Sequence, residues 1–252
     1  MGAGMTGAWT DHDLAALRAA RYTADVRSLV ALLRARDAEP VLQQCGDVLT
    51  AAITRGVPAA VETAARCSAA LHVRNWVGDE VLADRLDAAI GGAAPFLRPL
   101  PVDLEELSGL LEGDPAWGGG WVDLNTGECR LVTADSGELW HGDEPEDTGR
   151  WLHVACAGSH DAYRDMEDFI AVVGDRSLAD ALGTTITDRG AFRRFKDVLA
   201  ASPAEQRRYW LFNAERRHGR ARTWLADHDY RPTPHAGFSR ARSTPYTPGR
   251  SS

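Results

Sequence analysis

From Thr10 to Ile90 the apolar residues recur at helical spacing and no strand alternation interrupts them, which confines the first third of the chain to packed helices. The stripes are Leu14 and Leu17; Val26, Leu29, Val30 and Leu33; Leu42, Cys45, Leu49 and Ile53; and Val61, Ala65, Ser68 and Leu71. Breaks fall where helices should begin or end: Thr23 as a cap, Gly56 followed by Pro58, Gly78 before Asp79, and Gly91-Gly92. About five helices in antiparallel hairpins are expected. The stretches Asp37 to Gly56 and Pro58 to Gly78 are alike in length and alanine content, without the fixed-period signature of a named helical repeat.

Beyond this region the pattern changes. Gly91 to Pro101 is rich in Gly and Pro and reads as a domain boundary in extended conformation. A short helix follows, capped by Asp103, with Glu105 and Glu106 at its positive end and Leu104, Leu107, Leu110 and Leu111 on its apolar face. Trp121 to Leu124 and Glu128 to Val132 alternate, and Asn125-Thr126-Gly127 between them suits a three-residue hairpin loop. Arg150 to Ala155 alternates too, so a three-stranded antiparallel sheet is predicted, with Glu138 to Trp140 as a fourth candidate strand.

Helices should then cover the sheet's apolar face: Ser159 to Val173 with Tyr163, Met166, Phe169, Ile170 and Val173 on one side, a short one over Leu178 to Leu182, and Arg189 to Ala200. Ser202 to Glu205, reading SPAE, has the form of a capping box with Pro203 at the first helical position. The helix it opens should break at Gly219, with a last segment turning Trp224 and Leu225 inward before Arg231 to Pro234 stops it. The fold class expected is α+β: an all-helical N-terminal domain over 1–92, a linker with a short helix over 93–120, a small α+β domain over 121–230, and a disordered basic tail over 231–252.

A formal net charge of -8 opposes a general nucleic-acid or anionic-membrane binder. Lys196 is the single lysine among 28 basic residues, a bias that runs along the whole chain and weakens any argument from one arginine. Cys45, Cys67, Cys129 and Cys156 form no C-x-x-C pair, so no zinc site or disulfide framework is indicated and a reducing cytoplasm fits. No run is long and apolar enough for a signal peptide or a membrane span, and MGAGMT matches only the loose myristoylation pattern.

The sharpest functional feature is Asp188 to Leu199. Phe192, Phe195, Val198 and Leu199 make a buried stripe, leaving Arg189, Gly190, Arg193, Arg194 and Lys196 around a helix start, where free N–H groups and partial positive charge accept phosphates or carboxylates. The alternative is a solvated face with Arg193 paired to Asp197. Asp165, Glu167 and Asp168 form an acidic run on the outer side of their helix, and would neutralise the basic cluster if the two packed together.

Other candidates are weaker. His141, Asp143, Glu144, His153, His160 and Asp161 match no metal-ligand spacing. His153 and His160 read as core or capping residues, and Ser159-His160-Asp161 is too compact for a triad, with Ser159 better placed as an N-cap. Cys156 continues a strand pattern, and Trp117-Gly-Gly-Gly-Trp121 lacks the Lys and Ser/Thr of a phosphate loop.

Four ordered blocks, WVDLNTGE, AYRDMEDFI, RGAFRRFKDVL and YWLFNAERRHGRARTWL, resemble the bacterial uncharacterised protein family 0158 over roughly 117–230, and FLRPLPVDLEELSGLLEGDP resembles an extension of some actinobacterial members. The resemblance implies a cytoplasmic α+β module and transfers no catalytic residue. The expectation is a non-catalytic binding or regulatory protein, with a protein partner on the helical domain and a phosphate or carboxylate ligand at the basic helix start, and without a cofactor, a metal or a membrane. The alternatives are a phosphate-directed hydrolase, in which Asp165 or Asp168 positions a metal or water beside those cations, and RNA or DNA binding through the same patch.

Overall fold

The computed structural model describes residues 9–93, 96–112, 119–131, 149–187 and 190–234. Five α-helices open the chain as expected: α1 (Asp11–Tyr22), α2 (Val26–Ala35), α3 (Leu42–Thr54), α4 (Ala60–Arg74) and α5 (Asp79–Ala89). Thr10 and Asp13 form a reciprocal capping box at the start of α1. Thr23 ends α1, and Asp25 caps α2 by accepting from the Ser28 N–H at 3.2 Å. Leu17, Leu29, Leu33, Leu49, Leu71 and Leu86 are at most 1% exposed and form the first core, each worth roughly 1.5–3 kcal/mol of burial. On α4 the buried face is turned by about one residue from the expected one. Val61 and Ala65 are exposed and Ala64 and Cys67 point inward in their place, while Ser68 and Leu71 are buried as expected.

The segment read as a linker is part of the packed structure. It holds β1 (Arg98–Leu100) and α6 (Leu104–Leu111), which Asp103 caps by accepting from the Glu105 N–H at 2.8 Å. β1 pairs in parallel with β5 (Tyr230–Pro232), Leu100 opposite Pro232. Arg231 to Pro234, expected to begin a disordered tail, therefore belong to the fold, and the Thr233 N–H donates to Leu100 O at 3.0 Å. A parallel partner that far along the chain leaves no local signature. Residues 235–252 lie outside the described residues.

The three-stranded antiparallel sheet has the order β3 (Cys129–Leu131), β2 (Gly120–Asp123), β4 (Trp151–Val154). Its hairpin turns as expected, with Gly127 at φ +75 donating its N–H to Asp123 O at 2.7 Å. Glu138 to Trp140 lie outside the described residues. Leu107 and Leu110 of α6 join Val122, Val154, Ala221 and Leu225 in a second core over this sheet. The helices α7 (His160–Ala171), α8 (Arg176–Thr185) and α9 (Ala191–Leu199) build a third core from Met166, Phe169, Leu182 and Phe195, closed by Tyr209. Phe169 and Phe195 meet the Tyr209 ring edge-on at 5.1 and 4.9 Å.

One helix joins all three cores: α10 (Pro203–Asp227), 25 residues long. Pro203 is at its start as expected, but Ser202 makes no side-chain cap, and Glu205 binds Arg208 at 2.9 Å rather than closing a capping box. The helix also runs unbroken through Gly219. That glycine does not end a helix; it permits a backbone crossing, since a Cβ there would overlap the Val77 carbonyl oxygen, and one at Gly78 would overlap Gly219.

Candidate functional site

The charges on α10 form two networks. On the side facing the N-terminal helices, the first turn of α3 has no side-chain cap of its own. Glu215 supplies one from a distance: its carboxylate accepts from the Gln43 N–H at 2.7 Å and the Gln44 N–H at 3.1 Å. Arg74 ties this carboxylate to Asp79, lying 3.0 Å from Glu215 and donating to Asp79 at 2.9 and 2.7 Å, and its guanidinium covers the Trp76 ring at 4.4 Å. Gln43 then bridges outward, donating to Asp79 at 2.9 Å and accepting from Arg222 Nε at 2.8 Å. Arg222 uses both terminal nitrogens on Asp47, at 3.0 and 2.8 Å. Burial opposes charge on Arg74, and its bonds to Asp79 and Glu215 more than offset this, holding its pKa above the ordinary arginine value.

The second network faces α6 and α7. Asp165, expected on an outer face, is fully buried and accepts from Arg216 Nε at 2.9 Å and Arg220 at 2.8 Å, while Asp168 takes Arg216 Nη2 at 2.7 Å. Glu112 accepts from Arg217 at 2.9 Å and also from Arg220, and Glu105 takes Arg217 at 2.7 Å. His218 Nε2 lies 3.0 Å from Glu105 Oε2. The His218 hydrogen bond, then Arg217 against the cost of burial, lowers the Glu105 carboxyl to about 2.

Of the residues expected around the start of α9, Arg194 and Lys196 turn to separate neighbours. Arg189 lies outside the described residues. Gly190 holds the N-cap position at φ +79, and Arg193 is exposed, with no ion pair to Asp197 or another described residue. Arg194 turns back to donate to Thr185 O at 3.0 Å, and Lys196 lies 5.5 Å from the Trp210 ring centre. The stripe of Phe192, Phe195, Val198 and Leu199 packs inward as expected. Asp165 and Asp168 of α7 are engaged by Arg216 and Arg220 of α10, and among the described residues no ion pair joins them to the cations of α9.

Among the described residues, no three His, Cys, Asp or Glu side chains converge as a metal-holding group. His141, Asp143 and Glu144 lie outside them. His153, read as a core residue, is exposed with its ring edge against Trp121 at 4.8 Å, and Ser159 is an N-cap by position only. Burial raises the thiols of Cys67 and Cys129, to about 11 and about 12, and that of Cys45 well above the ordinary value. Cys156 is half-buried beyond the end of β4.

A groove of about 700 Å³ lies elsewhere, walled by α1 and α3 on one side and by the start of α6 and the end of β5 on the other, with α10 between them. Arg18 and Arg21 line the α1 wall without a carboxylate within ion-pair distance among the described residues. Tyr22 and Trp210, 56% and 47% exposed, give it aromatic surface. Pattern reading missed this site, because its walls come from segments as far apart as Asp11 and Pro234; Arg18 and Arg21, three apart beside an apolar stripe, were its only local trace.

No family model matches the chain, no curated protein matches it, and no solved structure matches it. No helix among the described residues is long and apolar enough to cross a membrane.

Proposed function

We propose that this is a non-catalytic binding or regulatory protein that takes an anionic small molecule in the groove between α1, α3, α6 and α10. One observation carries the reading: a groove of about 700 Å³ falls within the roughly 300–1,000 Å³ typical of ligand sites, and Arg18 and Arg21 on its wall have no ion pair among the described residues, whereas of the carboxylates in the same lining Asp11, Asp47, Glu105 and Glu128 are already paired with Arg207, Arg222, Arg217 and Arg130. Trp210 and Tyr22 offer flat faces to an apolar or aromatic body, and the arginine forks suit phosphate or carboxylate oxygens. Membership of uncharacterised protein family 0158 and a cytoplasmic location are part of the same proposal; they rest on the four sequence blocks and on cysteine usage.

The test is a thermal-shift panel of nucleotides, sugar phosphates and dicarboxylates on the wild type, on Arg18→Ala/Arg21→Ala and on Arg193→Ala/Lys196→Ala. A ligand at a hundred times its Kd should stabilise the wild type by about 2.7 kcal/mol, with the effect lost in the α1 double variant and kept in the α9 variant. The reverse pattern returns the site to the start of α9. No shift with any compound overturns the small-molecule reading in favour of a protein partner on the helical half.

A further inference from the structure

The last two turns of α10 carry Arg220, Thr223, Trp224 and Asp227, spaced three and four apart and therefore on one face of the helix. That face forms one wall of a second cavity, of about 240 Å³, whose other walls include Leu111 at the end of α6, Val77, and Asp161 in the first turn of α7. The cavity shares no lining residue with the groove. It is smaller than the roughly 300–1,000 Å³ typical of ligand pockets, which suits a small body or the end of a chain.

The cations in this lining are already paired, and two of its acids are not. Arg217 is held by Glu105 and Glu112, and Arg220 by Glu112 and Asp165. Asp161 and Asp227 have no ion pair among the described residues. Asp227 is also the last residue of α10, whose final turn has no basic side chain, so its carboxylate stands uncompensated at the negative end of the helix. Leu111 is the last residue of α6, and a second helix end of the same sign borders the cavity there. The start of α7 brings the opposite sign, which Asp161 answers in its first turn. The Thr223 hydroxyl oxygen is shielded from solvent without a hydrogen-bond partner among the described residues. Threonine takes two rotamers in a helix, so a turn about its Cα–Cβ bond can aim that oxygen at the cavity.

We infer that this cavity binds the primary ammonium group of an alkylamine, with the stem of the amine against Val77, Leu111 and Trp224. An ammonium has three N–H donors, and Asp161, Asp227 and Thr223 offer three acceptors around one space. It also supplies the positive charge that the two unmatched carboxylates and the two helix ends lack. The Trp224 indole, backed by the His228 ring at 4.3 Å, adds an aromatic surface that attracts a cation. A metal ion suits the place less, because among the described residues no three His, Cys, Asp or Glu side chains converge as its ligands.

The experiment uses the full chain with butylammonium chloride as the probe, and with sodium chloride and tetramethylammonium chloride at equal ionic strength as controls. Butylammonium should raise Tm in a saturable way and receive magnetisation from the protein at its methylene protons. Sodium should do neither, and tetramethylammonium, which has the charge without the N–H donors, should bind about tenfold more weakly or worse. Asp161→Asn and Asp227→Asn should each weaken butylammonium binding roughly tenfold to a hundredfold, whereas Glu62→Gln, which removes an exposed carboxylate from α4, should leave it unchanged. Without the amine, Asp227→Asn should be at least as stable as the wild type, because a like charge has been taken from a helix end. Arg18→Ala/Arg21→Ala should leave the amine response intact, so the groove and this cavity can fail separately. Equal binding of tetramethylammonium, an equal loss in Glu62→Gln, an undiminished response in both asparagine variants, or no saturable response of the wild type overturns the site, the last whether or not the variants fold.

Discussion

Arginines crowd two regions of this chain, the start of α9 and the second half of α10, and they behave in opposite ways. On α9, Arg193 stands exposed and Arg194 and Lys196 turn to different neighbours. On α10, Arg216, Arg217, Arg220 and Arg222 each meet a carboxylate from another element, and Glu215 joins them as the reverse charge. The α9 helix has one buried face, so Arg193 on its exposed side stays in solvent at little cost. The α10 helix is enclosed by helices from both halves, and a charge on nearly any of its faces must be matched or pay the cost of desolvation. Density of charge in the sequence therefore says little about availability; the number of sides on which a helix is covered says more.

Variants can break this contrast. The largest effect is expected from Glu215→Ala, which strips the first turn of α3 of its cap and leaves Arg74 short of a buried partner; urea unfolding should register a loss of about 3–5 kcal/mol. A loss below that of an ordinary surface ion pair would mean that the α10 junction is no more structural than α9. Gly219→Ala probes the same crossing through shape, since the added methyl meets the Val77 carbonyl, and about 1–3 kcal/mol should be lost.

A smaller effect concerns acid. The Glu105 carboxyl titrates at about 2 in the fold against an ordinary 4.5, so its contribution is complete above pH 4.5 and disappears as pH falls toward 2. Glu105→Gln should lower stability above pH 4.5 and so flatten the profile across that window, and an unchanged acid limb would show that Arg217 and His218 do not hold this group. Least of all, Arg193→Ala should move stability by no more than about 0.5 kcal/mol; a larger loss would place α9 among the structural regions and erase the comparison.

Much of the scaffold was legible. The five N-terminal helices, the Gly127 hairpin, the Asp103 cap and the inward stripe of α9 all follow from interactions within a few residues, and a single sequence records these directly. The continuity of α10 through Gly219 was not legible, because a glycine that breaks a helix and one that admits a neighbouring backbone look the same in a string. The parallel pairing of β1 with β5 and the turned face of α4 were hidden for a related reason: each depends on what packs opposite.

The candidate sites show the same division more sharply. Residue periodicity determined which side of each helix is apolar and hence which side its charges occupy. Only the tertiary structure decided that Asp165 meets Arg220, that Glu215 caps α3, and that Arg18 and Arg21 face a groove unmatched. Helical faces are set by a local repeat of about 3.6 residues, whereas electrostatic partners are set by distance in space, and in this protein the decisive pairs join segments 55 to 179 residues apart.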